Sequence, residues 1–302
     1  MMIKRLSYQD INFEKYNNCI ENSVQKKFYA EQIFLDISTK KNWELLVYND
    51  YEAVMPVPFV KKLGVKIVHN PKLCQQLGIF SKTDSLDVND MFYDYFVKNY
   101  VIRYYTFNDA NSFSKPVKCR NNFLIFPDKY EIVRQKYSPK RKRKLRLDQE
   151  VLDNSEIIKN FDLEKIKAFI RSTGLGADDK DMEKFIDLLS EFFISDNLDF
   201  YGFFYHQKLI NMIAVYRADY SLALLGTYND RKFVKLSGSS YLIDKVISEN
   251  IETKIFDFEG SEIPAVEEFF RGFRPELRPY PCIQVNKRDL VIMIIKKWLF
   301  LN

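Results

Sequence analysis

The first candidate site residues lie in the segment Lys235-Leu-Ser-Gly-Ser-Ser240, which precedes an amphipathic helical pattern. A helix N-terminus presents unpaired backbone N–H groups and a partial positive charge, so it can hold a phosphate group without a dedicated side chain. A glycine at that place lets the backbone approach the ligand closely. The residues predicted to form this phosphate-binding loop are Lys235, Ser237, Gly238, Ser239 and Ser240.

Two carboxylates follow the loop in the sequence, after a segment about as long as one helix. The segment Thr253–Phe258 alternates like a strand, and Asp257 and Glu259 lie at its C-terminal end. Because open α/β sheets bind ligands at the carboxyl ends of strands, we predict that Asp257 and Glu259 bind or deprotonate an amine. Tyr228 ends the preceding predicted strand and is the candidate proton donor to a leaving group.

The spacing of the loop is similar to that of a known family. Lys235-x-x-Gly238-x-Ser240 resembles the pyrophosphate loop of the GNAT acyltransferases, Gln/Arg-x-x-Gly-x-Gly/Ala, although Ser240 replaces Gly or Ala. The segments Phe256-Asp-Phe-Glu-Gly-Ser261 and Glu268-Phe-Phe-Arg-Gly-Phe273 resemble the C-terminal half of the FemAB-like branch of that superfamily. The resemblance covers about residues 136–286 and is weaker in the N-terminal half.

That branch carries two GNAT-like domains in one chain, which implies a mixed α/β fold. We expect an N-terminal domain in residues 1–135 and a C-terminal domain in residues 136–302, each with a mixed, mostly antiparallel sheet flanked by helices. The pattern of elements supports a duplication, because a hairpin, a strand, a helix and a further strand are predicted from residue 43 onwards and again from residue 200 onwards.

The resemblance also implies an activity, which is acyl transfer from acetyl-CoA or another acyl-CoA to an amine. Direct attack in a ternary complex requires no covalent nucleophile, which suits a chain without an activated cysteine or serine arrangement. In this interpretation the loop holds the cofactor pyrophosphate, and the acceptor is a small molecule or a peptide. Arg271 either clamps a carboxylate or phosphate or pairs with Glu267 or Glu268.

Two other functions stay open. A FemX-like aminoacyl transferase would use aminoacyl-tRNA as its donor and act on a cell-wall precursor peptide. The chain lacks the long charged helical hairpin that some Fem proteins carry for tRNA. A catalytically silent binding module would keep the fold without the activity.

A strongly basic stretch runs from Lys136 to Arg146. Ser138-Pro139 is a favourable helix start, and Ser138-Pro-Lys140, Arg143 and Leu145 resemble a segment that opens the second domain of FemAB-like proteins. This stretch either binds an anion, such as a cofactor phosphate, a phospholipid or tRNA, or is a solvated helix. A DNA-binding function is disfavoured, because no DNA-binding motif accompanies the stretch.

Acidic residues connect two predicted helices, Phe161–Ser172 and Met182–Phe193. In a GNAT-like domain this connection lines the acceptor pocket, so Asp178 and Asp179 are candidates to attract a cationic amine. The alternative is that these acids favour the start of the second helix.

Composition excludes several classes of protein. The 302 residues include four scattered cysteines and two histidines, which argues against a disulfide framework and against a metal site. The net charge of +5 permits an anionic ligand without requiring nucleic acid. No apolar run is long enough for a membrane span, so we expect a cytoplasmic protein. Its apolar C-terminal segment, which begins at Leu290, docks on the protein as a helix or lies on the inner face of a membrane.

Overall fold

The computed structural model describes residues 3–62, 64–174 and 178–299, with only the backbone of residues 298 and 299. The chain forms two compact units. Unit 1 comprises Met1–Arg120 and Pro279–Asn302, and unit 2 comprises Asn121–Arg278.

Unit 1 contains a mixed sheet. Its strands are β1 (Ile3–Leu6), β2 (Trp43–Tyr48), β3 (Ala53–Lys62), β4 (Val65–His69), β5 (Phe80–Ser81), β6 (Val101–Thr106), β7 (Lys118–Arg120) and, near the C-terminus, β15 (Tyr280–Gln284). The spatial order is β1-β2-β3-β4-β6-β15-β7, and β5 pairs with β3. The pairing of β4 with β6 is parallel, whereas the other strand pairs among the described residues of this sheet are antiparallel. The helices are α1 (Phe13–Glu21), α2 (Gln32–Thr39), α3 (Leu86–Asn99) and α11 (Lys287–Leu299).

Unit 2 repeats this plan. Its strands are β8 (Phe123–Ile125), β9 (Ser155–Lys159), β10 (Leu198–Tyr205), β11 (Lys208–Arg217), β12 (Ser221–Asn229), β13 (Ile255–Asp257) and β14 (Glu276–Leu277), in the order β14-β8-β13-β12-β11-β10-β9. The pair β12–β13 is parallel. The helices are α4 (Tyr130–Lys136), α5 (Pro139–Lys144), α6 (Gln149–Asp153), α7 (Leu163–Thr173), α8 (Asp179–Ile194), α9 (Gly238–Asn250) and α10 (Pro264–Arg271).

The same connection appears in both units and explains their shared plan. A hairpin leads into a strand, and a helix then carries the chain to a parallel neighbour of that strand, as in β4-α3-β6 and β12-α9-β13. A parallel pair needs such a crossover, because the chain must return to the same end of the sheet. The predicted fold class, two mixed and mostly antiparallel sheets flanked by helices, is therefore confirmed.

The division between the units differs from the expected boundary at residues 135 and 136. β8 lies before that boundary but pairs with β13 of unit 2. β15 pairs with β6 and β7 of unit 1 although more than 150 residues separate it from them in the sequence. Long-range strand pairing, rather than a change in local composition, therefore sets where each unit begins and ends.

Candidate functional site

In unit 2, β12 continues beyond its parallel neighbour β13. β13 pairs with β12 only through Ser221–Ala223, so the second half of β12 continues without this neighbour. On its other side, β12 changes register with β11 near Ala214 and Val215. This irregularity bends a strand locally and redirects its end. The carboxyl end of β12, which carries Tyr228 and Asn229, then leads into α9.

The start of α9 is held by side chains from β11 and β12. Ser237 adopts a left-handed conformation with φ 59°. A side chain at Gly238 would overlap the amide of Asn211, which in turn donates from Nδ2 to Asn229 Oδ1 at 2.7 Å. The Ser239 hydroxyl also bonds to Asn229 Oδ1. The glycine is thus required by close packing against Asn211, independently of any ligand.

The predicted phosphate loop is partly occupied by its own hydrogen bonds. The N–H of Ser237 donates to Val234 O at 3.2 Å, and the N–H of Ser240 donates to Ser237 O at 2.9 Å. Gly238, Ser239 and Ser240 are all buried, whereas Lys235 is exposed on the preceding 3-10 turn. Of the four backbone N–H groups of residues 237–240, two are therefore already used within the protein.

Tyr228 lies beside this loop but does not present its hydroxyl to solvent. Its oxygen is buried and has no hydrogen-bond partner among the described residues. Burial raises the pKa of the Tyr228 phenol well above its usual value, so the group stays protonated at neutral pH. A ligand could contact this hydroxyl only after a local rearrangement.

Asp257 and Glu259 are brought together at the end of β13. Asp257 is buried, and its Oδ1 accepts the N–H of Glu259 at 2.8 Å while its Oδ2 accepts from Asn122 Nδ2 at 3.2 Å. Glu259 is half-buried and has a left-handed φ of 65°. Asp257 therefore fixes the backbone of the turn that presents Glu259.

A basic pocket of about 430 Å³ lies in unit 2 between α5 and α10. We use this name for the cavity lined by Ser138, Lys140, Arg141, Lys144, Ala265, Glu268, Phe269, Arg271, Gly272 and Arg274. Two backbone-directed hydrogen bonds join its walls, from Ser138 N to Gly272 O at 3.0 Å and from Arg141 Nη2 to Phe269 O at 2.7 Å. Five of its lining residues are cationic and one is acidic.

Arg141 is the central group of this pocket. It is 5% exposed, and its guanidinium lies 4.2 Å from the ring centres of both Phe269 and Phe273. Nη1 donates to the Ser240 hydroxyl, which connects the pocket to the start of α9. A side chain at Gly272 would lie 3.1 Å from the guanidinium, so the glycine leaves room for it.

The charge of Arg141 is not neutralised by the protein. Its partners are a hydroxyl, a carbonyl and two aromatic rings, and within the described part of the chain its Nε has no hydrogen-bond partner and no carboxylate forms an ion pair with it. Burial accordingly lowers the pKa of Arg141 to about 10, which still leaves it charged at neutral pH. No carboxylate of the described residues contacts Arg141 directly, although the charge of Asp244 attracts it at longer range. Burying such a cation is costly, and an anionic ligand would reduce that cost.

Other cations of the pocket are partly compensated. Lys140 Nζ lies 3.1 Å from Glu268 Oε1, and Arg271 Nε donates to Glu267 Oε1 at 2.8 Å. The Arg271–Glu267 pair is one of the two predicted alternatives for this arginine. Lys144 and Arg274 are exposed at the pocket.

Aromatic packing places the pocket beside the end of β13. Phe258 follows Asp257 and packs on Phe270 and Phe273, with ring centres 5.1 and 5.4 Å apart. Arg271 lies over the ring of Phe123, on the neighbouring β8, at 4.9 Å. The structure thus brings Arg271 to the region of Asp257 and Glu259.

The predicted acceptor-binding acids have a structural role. Asp178 is the N-cap of α8, where its side chain accepts the N–H of Asp181 at 2.8 Å, and Asp179 is the first residue of the helix. This geometry agrees with the alternative that these acids favour the start of a helix. Residues 175–177 of the same connection lie outside the described residues.

Sequence reasoning missed the residues that organise the site: Arg141, Asn211, Asn229 and Asn122. One signal for Arg141 was present, because Leu145 lies one helical turn further along the basic stretch and is buried. Residues four positions apart share a helix face, so Leu145 identifies Arg141 as the inward-facing cation. The asparagines act across strands and give no comparable local signal.

The described residues contain neither a metal-binding cluster nor a membrane-spanning helix. No group of three or more histidine, cysteine or acidic residues within them could hold a metal ion. None of the helices in residues 3–62, 64–174 and 178–299 combines the length and apolar composition needed to cross a bilayer.

Comparison with known proteins supports the fold at the level of structure. No family model matches the sequence, and no curated protein is significantly similar to it. The crystal structure of FemX matches with a TM-score of 0.64 and 8% identity, covering 97% of this chain and 99% of FemX. A conserved protein of unknown function from Bacteroides thetaiotaomicron matches with a TM-score of 0.57 and 8% identity, over 94% of this chain and 100% of its own.

A third similar structure is that of a tandem GNAT protein from the clavulanic acid biosynthesis pathway. It matches with a TM-score of 0.52 and 8% identity over 93% of this chain and 97% of its own. Likeness at this low identity concerns the fold. The fold implied by the sequence resemblance is confirmed, because the chain shares its fold with FemX and with this tandem GNAT protein.

Proposed function

We propose that this protein transfers an aminoacyl group from aminoacyl-tRNA to an amine, and that the basic pocket binds phosphate groups of the donor. The observation that carries the proposal is Arg141, a buried cation that lines an open cavity and forms no ion pair among the described residues. Arginine presents a planar fork of donors that suits phosphate oxygens. The exposed Lys144 and Arg274 extend this positive charge at the pocket.

The start of α9 favours this donor over acyl-CoA. Binding of a cofactor pyrophosphate at the predicted loop relies on free backbone N–H groups, yet those of Ser237 and Ser240 are used internally. The loop is also packed against Asn211 and Asn229. The basic pocket, in contrast, is open and has uncompensated charge.

In the proposed reaction, the neutral amine attacks the ester carbonyl of the donor. The new C–N bond forms as the ester C–O bond breaks, and the ribose hydroxyl leaves with a proton while the amine loses one. Glu259 is the better placed of the two carboxylates to take that proton, because Asp257 is buried and already accepts two hydrogen bonds. Asp257 then acts as a positioning residue for the turn that carries Glu259.

The test measures binding of charged and uncharged tRNA by filter retention at several salt concentrations. Lys144→Gln is compared with Lys142→Gln, since both changes remove one lysine charge from α5 but only Lys144 lines the pocket. We expect Lys144→Gln to weaken binding and to reduce the slope of log affinity against log salt by about one, with a smaller effect of Lys142→Gln.

Arg141→Met supplies the second arm of the test. It should reduce tRNA affinity by about tenfold or more while the far-UV circular dichroism spectrum stays unchanged. Equal effects of Lys144→Gln and Lys142→Gln would show non-specific attraction and would contradict a phosphate site in the pocket.

Acyl-CoA remains the second candidate, because the spacing of the loop resembles that of GNAT acyltransferases. Thermal unfolding with acetyl-CoA distinguishes the two donors, since a ligand that binds only the folded state raises its stability. Stabilisation by acetyl-CoA that is lost in Gly238→Glu, together with no response to tRNA, would replace aminoacyl-tRNA by acyl-CoA as the donor.

A further inference from the structure

The C-terminal helix α11 has two apolar faces, of which the described residues cover one. Leu290, Met293 and Ile294 pack on a small cluster formed by β4 and β6 of unit 1. Val291, Ile292 and Ile295 lie on the opposite face, with exposed fractions of 53%, 43% and 52%. The first set docks the helix as the sequence analysis expected, whereas the second set remains in contact with solvent.

The charges around the exposed face are predominantly positive. α11 carries Lys287, Arg288, Lys296 and Lys297 against one acid, Asp289. At 100° per residue, Arg288 falls on the same side as Ile292 and Ile295, with Lys287 and Lys296 on its two flanks.

Strand β3 adds a further apolar residue and a further basic residue to the exposed surface beside α11. Val60 is opposite Ile67 and Lys62 is opposite Val65 in the antiparallel pair β3–β4. Directly paired residues point to the same face of a sheet, and Ile67 and Val65 lie under α11. Val60, which is 48% exposed, and the exposed Lys62 therefore lie on the face that α11 covers, beside the helix.

We propose that this surface binds an anionic phospholipid bilayer, with α11 lying in the plane of the interface. An apolar face rimmed by lysine and arginine is the pattern that inserts between lipid headgroups, because the apolar side chains are buried and the cations contact lipid phosphates. A helix of 13 residues is about 20 Å long, too short to span a bilayer. The positive rim matches a negatively charged surface better than a second copy of the same positive face.

The experiment is vesicle flotation of the full chain, with phosphatidylcholine vesicles that do or do not contain phosphatidylglycerol. We expect binding only to the anionic vesicles, and weaker binding at high salt. The variant Ile292→Gln/Ile295→Gln should lower the partition coefficient by about tenfold or more. Ile33→Gln is the matched control, because Ile33 also lies on a helix of unit 1 and is likewise 43% exposed.

Lys296→Gln tests the electrostatic part and should reduce binding to anionic vesicles by several-fold, whereas Lys98→Gln on α3 should not. Absence of binding to anionic vesicles would overturn the proposal, as would binding that Ile292→Gln/Ile295→Gln leaves unchanged. A dimer in light scattering that this double variant converts to a monomer, without vesicle binding, would assign the face to a second copy. None of these outcomes depends on which donor the basic pocket binds.

Discussion

The two units surround an arginine in different ways, and the arginine is exposed in unit 1 and buried in unit 2. In unit 1, Arg5 donates from Nε and Nη2 to the buried Glu44 at 2.7 and 3.0 Å, and Lys66 contacts the same carboxylate. In unit 2, Arg141 has only neutral hydrogen-bond partners within the described residues, and Asp244 attracts it without direct contact. Duplicated architecture therefore does not imply duplicated charge networks. Unit 1 pairs its arginine directly with a carboxylate, whereas the described part of unit 2 does not.

The crossover helices α3 and α9 also differ between the units, in the way that each helix begins. α3 of unit 1 begins at a conventional cap, where Ser85 accepts the N–H of Val88. α9 of unit 2 begins at Ser237 in a left-handed conformation, and the structure shows no side-chain cap for it among the described residues. Asparagines from neighbouring strands organise that start instead, so its geometry depends on the tertiary structure.

The largest effect on stability is expected from breaking the charge network of unit 1. Glu44→Gln places a buried amide opposite Arg5, Lys66 and Tyr100 and should cost about 3 kcal/mol, because the charge-assisted hydrogen bonds to the carboxylate are lost. Arg141→Met should change stability by no more than about 1 kcal/mol, since the loss of its two hydrogen bonds is offset by removal of a buried cation that forms no ion pair among the described residues. Urea denaturation of both variants measures the difference, and an equal loss in the two would contradict it.

The next effect concerns the start of α9. Gly238→Ala should cost about 2 kcal/mol, because the new methyl group overlaps Asn211 in a tightly packed place. Asn211→Ala removes the obstacle, so the cost of Gly238→Ala should be clearly smaller in that background. A double-mutant cycle by thermal unfolding measures this coupling. Strictly additive stability costs of the two substitutions would contradict it.

A smaller effect separates the two helix starts. Ser85→Ala should cost about 1 kcal/mol, because it removes the acceptor of the Val88 N–H. Ser237→Ala, the equivalent change at α9, should cost much less through capping, since the structure shows no side-chain cap at Ser237 among the described residues. Similar costs for both variants in urea denaturation would show that Ser237 caps its helix after all.

The smallest effect is a difference in pH dependence. Burial tends to raise the pKa of Glu44, but hydrogen bonds from Arg5 and Lys66 outweigh it and lower the pKa below its usual 4.5. Its contribution is thus present above pH 4.5 and is lost as the pH falls through the lowered value. Burial raises the pKa of Asp244 on α9 above its usual 3.8, despite a hydrogen bond from Tyr130. Its contribution is complete below pH 3.8 and is lost as the pH rises through the raised value.

Hydrogen exchange measured at several pH values follows the amides of each unit separately. Acidification from neutral pH towards 3.8 should increase the protection of amides in α9, and Asp244→Asn should flatten this change. Acidification below pH 4.5 should reduce protection in β2, and Glu44→Gln should remove that sensitivity. The same pH response in both units would argue against this difference between them.

Much of the fold follows from local pattern. The helix start at Ser138-Pro139 was predicted as the structure shows it, and the predicted strand Thr253–Phe258 contains β13. The predicted helices Phe161–Ser172 and Met182–Phe193 correspond to α7 and α8. These segments alternate strongly or carry a cap with its own chemistry, so neighbours in sequence suffice to define them. A requirement for glycine at position 238 was also predicted from the sequence. The predicted reason was close approach of a phosphate, whereas the structure shows close packing against Asn211.

The sequence by itself determined the order of elements, their repetition in two halves and the presence of a basic helix near the middle of the chain. These depend on residues a few positions apart. Only the tertiary structure decided where the units divide, which cation of the basic helix turns inward and what surrounds it. Those features depend on contacts between distant segments, such as Arg141 with Ser240 and Phe269, because side-chain burial and the absence of a counter-ion are properties of packing.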